Sequence, residues 1–127
     1  MQLDHTVPTE RSFDEAVETV CTGLAAAGFR VQFVHDVSAT LAEKGYQRER
    51  VSIIETCNAR YAHEVLARDV KIGLMLPCPV MVYEESGSVF ISTMRPTLIG
   101  AFFPEAGLED VAGEVEAILT RVIDEAA

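Results

Sequence analysis

The sequence predicts an α+β fold, with helices and strands in mixed order and the last two strands joined as an antiparallel hairpin. Two patterns carry that expectation. Apolar residues recur at helical spacing in some segments and alternate with polar ones in others, and two β-rich runs flank the turn-forming stretch Glu85-Ser86-Gly87-Ser88. The third observation is bulk: 127 residues, 49% of them hydrophobic, suffice to bury one core without disulfide or metal staples. No repeat, low-complexity tract or linker composition divides the chain, so residues 1–127 are read as one domain.

Along the chain, residues 1–10 alternate polar and apolar side chains and open the fold as a strand. Ser12-Phe13-Asp14-Glu15 matches a capping box, in which the Ser hydroxyl and the Glu carboxylate satisfy backbone donors that a helix start leaves unpaired. A helix therefore begins at Phe13. Phe13, Val17, Val20, Cys21 and Leu24 form its apolar stripe, and Gly28 supplies the left-handed residue that closes it. Residues 29–35 alternate as a half-buried strand, Asp36 caps a short helix over 37–44 stopped by Gly45, and the β-branched run 51–56 is the next strand. Asn58 then caps a helix whose inner face holds Ala62, Val65 and Leu66. The apolar stretch 72–76 breaks at Pro77-Cys78-Pro79, and strands over 80–84 and 89–93 make the hairpin. After an apolar loop over 95–107, Val111, Val115, Ile118, Leu119 and Val122 mark a final helix.

Charge and cysteine usage exclude several function classes. Twenty acidic residues against ten basic ones give a formal charge of −10, a field that repels phosphate backbones and anionic lipid heads. Nucleic acid and membrane are therefore not expected as partners. No apolar run reaches the roughly 20 residues of a spanning helix, and the first ten residues lack the basic patch and greasy stretch of a signal peptide. Three cysteines are too few and too odd in number for a secreted disulfide framework, which points to the reducing cytoplasm.

A family pattern emerges from Gly28-Phe29, the strand ending in Asp36, Glu55-Thr56-Cys57-Asn58, and Gly73-Leu74-Met75-Leu76-Pro77-Cys78 followed by Val80-Met81-Val82-Tyr83-Glu84 and Gly87. Over roughly residues 13–96 the chain resembles the small bacterial and archaeal proteins of the domain of unknown function 302 family. The resemblance implies a curved antiparallel sheet packed with helices, like one half of the TATA-binding protein, assembled as a homodimer, and it implies no established activity. One departure is Ala59, where the family commonly shows Pro after Cys-Asn.

The residues that can carry chemistry are the cysteines. Cys57 precedes a predicted helix start, where the positive end of the macrodipole favours thiolate, and Cys78 lies between two prolines at the entry to the hairpin. Against this stands the common fate of free cysteine as a small buried hydrophobe. Cys57 and Cys78 are 21 residues apart, which is not a zinc spacing, and the chain has no Cys-x-x-Cys pair, so any two-thiol site is assembled by folding. Brought together, the sulfurs can form a reversible disulfide, bind a soft ion such as copper(I), or carry a persulfide.

The Cys78-Pro79 dipeptide also suggests reversible haem ligation through thiolate, with His35, His63, Met75, Met81 or Met94 as the second axial ligand and Phe102 and Phe103 as walls. His35, in phase with Phe33, is the histidine expected to join the cysteines at a metal. His63 reads as a surface residue, because Ala62, Val65 and Leu66 already define the inner helix face. Glu55, two residues before Cys57, is expected on the same face of the strand as the thiol, as a solvated charge or as a carboxylate that orients a ligand or opposes thiolate formation. The run from Leu98 to Phe103 is read as packing, on the domain or across a two-fold interface. No nucleophile elbow, phosphate loop or metalloprotease helix is present, so the expected function is cofactor binding or sensing at Cys78 and Cys57 with no assigned catalytic residue. The rival is thiol redox or sulfur transfer by the same two residues.

Overall fold

In the computed structural model, which describes residues 2–127, five strands form one antiparallel sheet in the order β1-β5-β4-β3-β2. The strands are β1 (Asp4–Thr9), β2 (Arg30–Asp36), β3 (Val51–Cys57), β4 (Cys78–Glu85) and β5 (Ser88–Met94). The main helices are α1 (Phe13–Ala26), α2 (Val37–Glu43), α3 (Ala59–Arg68), α4 (Thr97–Phe102) and α5 (Glu109–Ala126), with 3-10 turns at Val70–Met75 and Pro104–Ala106. The sheet is open, with β1 and β2 as its edges. The antiparallel α+β expectation is met.

Period-2 alternation sorts each strand into a helix-facing side and an open side. Ser52, Ile54 and Thr56 of β3, Val80 and Val82 of β4, and Ile91 and Thr93 of β5 are buried under the helices. Between sheet and helices lies the core, where Val20 and Leu24 of α1 and Leu119 and Ile123 of α5 are each 0% exposed. Ile53, Glu55, Met81, Tyr83 and Phe90 occupy the other side and stay partly exposed, with Tyr83 and Phe90 stacked at 5.3 Å between ring centroids.

Local signals explain most boundaries. The Ser12 hydroxyl accepts from the Glu15 amide at 3.2 Å and donates to the Glu15 carboxylate at 2.9 Å. The two side chains therefore bond each other as well as the helix, a variation on the expected box. Gly28, at φ +87°, turns the chain out of α1, and the Phe29 amide reaches back to the Leu24 carbonyl at 2.9 Å. Ser86 (φ 54°) and Gly87 (φ 81°) form the two-residue hairpin turn between paired Glu85 and Ser88, both left-handed as such a turn requires.

The segment read as an apolar loop differs from that expectation. Residues 97–102 form α4, whose Leu98 and Ile99 are buried, while Phe102 remains 70% exposed. The helix starts there because α5 supplies its cap: the Glu116 carboxylate accepts from the Thr97 amide at 3.2 Å and from the Thr97 hydroxyl at 2.7 Å. A side chain 19 residues downstream does what a local capping residue usually does.

Candidate thiol site and its cavity

Cys57 is the last residue of β3 and Cys78 the first of β4. These strands are antiparallel neighbours, and Cys78 pairs with Thr56, so folding brings the two cysteines to adjacent positions at one end of the sheet. The chain reaches Cys78 through a cis peptide bond between Leu76 and Pro77. Beyond Cys57, Asn58 starts α3: its side-chain oxygen accepts from the amides of Arg60 (3.0 Å) and Tyr61 (3.3 Å), and its amide nitrogen donates to the Gly28 carbonyl at 3.0 Å. Asn58 thus ties the strand-to-helix junction to the end of α1.

Both cysteines border a cavity of about 50 Å³. Its walls are nearly all apolar, built by Phe29, Tyr61, Val65, Ile99, Val111 and Val115 among others. The few polar groups at the wall are already engaged, the Thr56 hydroxyl donating to the Arg30 carbonyl at 3.1 Å and Asn58 making the three bonds above. No buried side-chain nitrogen or oxygen among the described residues lacks a partner. A ligand in this space therefore meets mostly hydrocarbon, with Cys57 and Cys78 at its border and no spare oxygen or nitrogen group to satisfy.

Burial raises the Cys78 thiol from its ordinary 9.0 to about 11, chiefly by desolvation and secondarily through the nearby Cys57 charge. At neutral pH Cys78 is thus a protonated thiol, and any reaction or metal bond it makes must displace that proton. Cys21, on α1, is also pushed up by burial and is not part of the cavity wall.

Other expected participants lie elsewhere. His35 stands opposite Ile53, on the open side and toward the far end of β2 from Arg30, the partner of Cys57. Its ring is within 3.3 Å of the Thr40 hydroxyl and packs beside Phe33, so the structure does not bring it to the cysteines. Among the described residues no three of the His, Cys, Asp and Glu side chains gather as a metal group. His63 is exposed on α3, as expected for a surface histidine. Glu55 stands opposite Phe33 and Pro79 on the open side of the sheet.

Sequence reasoning missed Tyr61, Arg60 and Glu114. The Tyr61 ring walls the cavity, stacked 6.2 Å from Phe29, and its hydroxyl donates to the Glu114 carboxylate at 2.6 Å. Arg60 lies over that ring in cation–π range, 4.6 Å from its centroid, and bonds the same carboxylate at 3.2 Å. Tyr61 sits four residues before Val65 and so shares its helix face, a signal present in the sequence. Glu114 is 53 residues from Tyr61 and carries no local signal at all.

The fold and the site together define a class: an open antiparallel α+β protein with two thiols at the end of its sheet, beside an apolar cavity. The chain belongs to the family described as Domain of unknown function DUF302, whose model matches residues 5–126. It is similar over its whole length to an uncharacterized conserved DUF302 protein from Bacillus stearothermophilus, at 28% identity, 100% coverage of both chains and a TM-score of 0.94. A comparison with the curated proteins finds no match.

Proposed function

We propose that this protein binds a compact soft ligand, with copper(I) as the leading candidate, through Cys78 and Cys57, and serves as a binding or sensing protein rather than an enzyme. One observation carries the reading: two cysteines at the adjoining ends of neighbouring strands border the same apolar cavity. A thiolate pair suits a soft two-coordinate ion, and apolar walls without free oxygen or nitrogen ligands disfavour harder cations. Haem is the other cofactor expected from the sequence. Sites for molecules of drug size occupy about 300–1,000 Å³, and a cavity of about 50 Å³ supports a compact ligand over a macrocycle.

The test is a competition titration of the reduced protein with copper(I) and a chromophoric chelator, in parallel with Cys78→Ser and Cys57→Ser. One ion per chain, lost in Cys78→Ser, is the expected outcome; equal binding by both variants and the parent would refute the site. Because the Cys78 proton must leave, that thiol by itself contributes about a tenfold rise in affinity per pH unit below about 11, added to the proton that Cys57 releases.

A second reading, thiol redox or sulfur transfer, draws on the same adjacency of the two cysteines. The raised Cys78 value bears on both readings alike, since the thiolate is both the attacking species and the soft-metal ligand, and the choice between them rests on the apolar cavity. The proposal also takes the protein to be a cytoplasmic homodimer that binds no nucleic acid. The open side of the sheet, where Phe33 is 56% exposed, supports a second copy as its cover, and the formal charge of −10 opposes nucleic acid. Three unpaired cysteines fit a reducing compartment, and among the described residues no helix is long and apolar enough to cross a membrane. Light scattering that returned one chain per particle would remove the dimer.

A further inference from the structure

The Cys78 thiol that the proposed function needs is only partly exposed beside the cavity, so the wall that yields controls access to it. Of the elements around the cavity, α3 packs chiefly on the adjacent Val70–Met75 turn and only lightly on the helix across the cavity from it. It contacts α5 far more sparingly than α1 does, and the side chains that face one another, Ala62 and Val65 on α3 and Val111, Ala112 and Val115 on α5, border the cavity instead of filling it. Polar ties near its two ends join α3 to the neighbouring structure. Near its start, the Tyr61 hydroxyl and Arg60 both bond the Glu114 carboxylate of α5, at 2.6 and 3.2 Å. At its end, Arg68 donates to the Gly107 carbonyl, in the turn before α5.

A ten-residue helix is marginal by itself and draws its stability from what it packs on. One such helix over a void, fixed by bonds at partly exposed positions, belongs to the low-stability end of a fold, where local opening is cheapest. The hinge is built in as well, because α3 follows Cys57 directly through the Asn58 cap. Movement of α3 therefore changes the position of Cys57 relative to Cys78.

We infer that α3 is a movable wall over the thiol site, latched shut by Glu114 through Tyr61 and Arg60, and that release of this latch admits the ligand to Cys78. The inference rests on the reading of Cys78 and Cys57 as the ligand site and adds the route and its control. Glu114 and Tyr61 are positioning residues: neither bonds the ligand. Tyr61 contributes a ring to the wall and a hydroxyl to the latch, and these roles are separable, since Tyr61→Phe keeps the first and removes the second.

The experiment measures the alkylation rate of each cysteine by iodoacetamide, resolved by peptide mass spectrometry, in the parent protein, Tyr61→Phe and Glu114→Ala. Cys21, half-buried on α1 away from the cavity, reports general loosening of the fold. Glu114→Ala is expected to speed alkylation of Cys78 about tenfold, since a bond to a charged group is the stronger kind. Tyr61→Phe should produce a smaller acceleration, with the Cys21 rate unchanged in both. A Cys78 rate that does not respond in either variant overturns the latch, as does acceleration of Cys21 in proportion to Cys78. Copper(I) titration of the parent protein separates the two proposals: responsive alkylation without copper binding leaves the movable wall and removes the metal, and copper binding with unresponsive alkylation does the reverse.

Discussion

The two halves of α5 run past very different neighbours. Toward its C-terminus, Leu119, Val122 and Ile123 pack with α1, and the contact is so close that a Cβ added at Gly23 would lie 3.1 Å from the Val122 side chain. Toward its N-terminus, Val111, Ala112 and Val115 face α3 across a cavity of about 50 Å³. The apolar stripe on α5 is continuous through both. What changes is the partner: α1 is a 14-residue helix laid along the core, whereas α3 is a 10-residue helix tied down by Tyr61, Arg60 and Arg68. Close helix contact holds one side, and an apolar cavity bordered by two cysteines lies on the other.

Truncation breaks this contrast most strongly. Leu119→Ala, at a side chain with 0% exposure, should cost about 3–4 kcal/mol in denaturant unfolding, in line with filled-core leucines. Val115→Ala, which enlarges a space already present, should cost about 1–2 kcal/mol. Equal losses would mean that the α3 side is as tightly built as the α1 side.

Alkaline pH sharpens the comparison through the buried thiol. Between pH 9 and about 11 the folded Cys78 keeps its proton while the unfolded thiol has lost it, so the native state binds more protons and stability falls as pH rises. The full loss from Cys78 is at most about 3 kcal/mol. Cys21, Tyr61 and Tyr83, all raised, add in the same direction, so the contribution of Cys78 is the difference between the parent and Cys78→Ala across that range. Identical pH profiles would place the thiol in solvent.

Filling each side gives gains of different size. Ala112→Leu projects into the cavity and should raise stability by about 1 kcal/mol while blocking the site. Gly23→Ala gains up to about 1 kcal/mol of helix propensity, offset by a new methyl 3.1 Å from the Val122 side chain, so a net change smaller than that at Ala112 is expected in the same unfolding assay. The smallest effect falls at the junction. Asn58→Ala removes the α3 cap and the bond to Gly28, costing about 1 kcal/mol or less globally, with faster amide exchange confined to α3.

Much of the fold could be read directly because its signals are local. Ser12 and Glu15, Gly28, Asn58 and the Ser86-Gly87 turn each act within a few residues of where they stand, and the strands follow from alternation. What escaped depends on distant partners. Residues 97–102 looked like a loop because their cap, Glu116, comes from α5. The pair Cys57 and Cys78 was legible as residues, and the register that makes them neighbours came only with the sheet. His35 failed to join them for the same reason: periodicity told which residues it shares a strand side with, and the order of strands put that side and that end away from the cavity. Glu114 was invisible because a surface glutamate on a helix has no signature until the tyrosine it holds is seen.

The central claim is that two sulfurs at the end of the sheet hold a soft ion, and X-ray absorption at the copper edge of the copper(I)-loaded protein tests it most directly. Two sulfur neighbours per copper in the parent protein, with one lost in Cys57→Ser and binding abolished in Cys78→Ser, is the predicted result. A copper shell made of nitrogen or oxygen, or one that keeps both sulfurs when either cysteine is replaced, would contradict it.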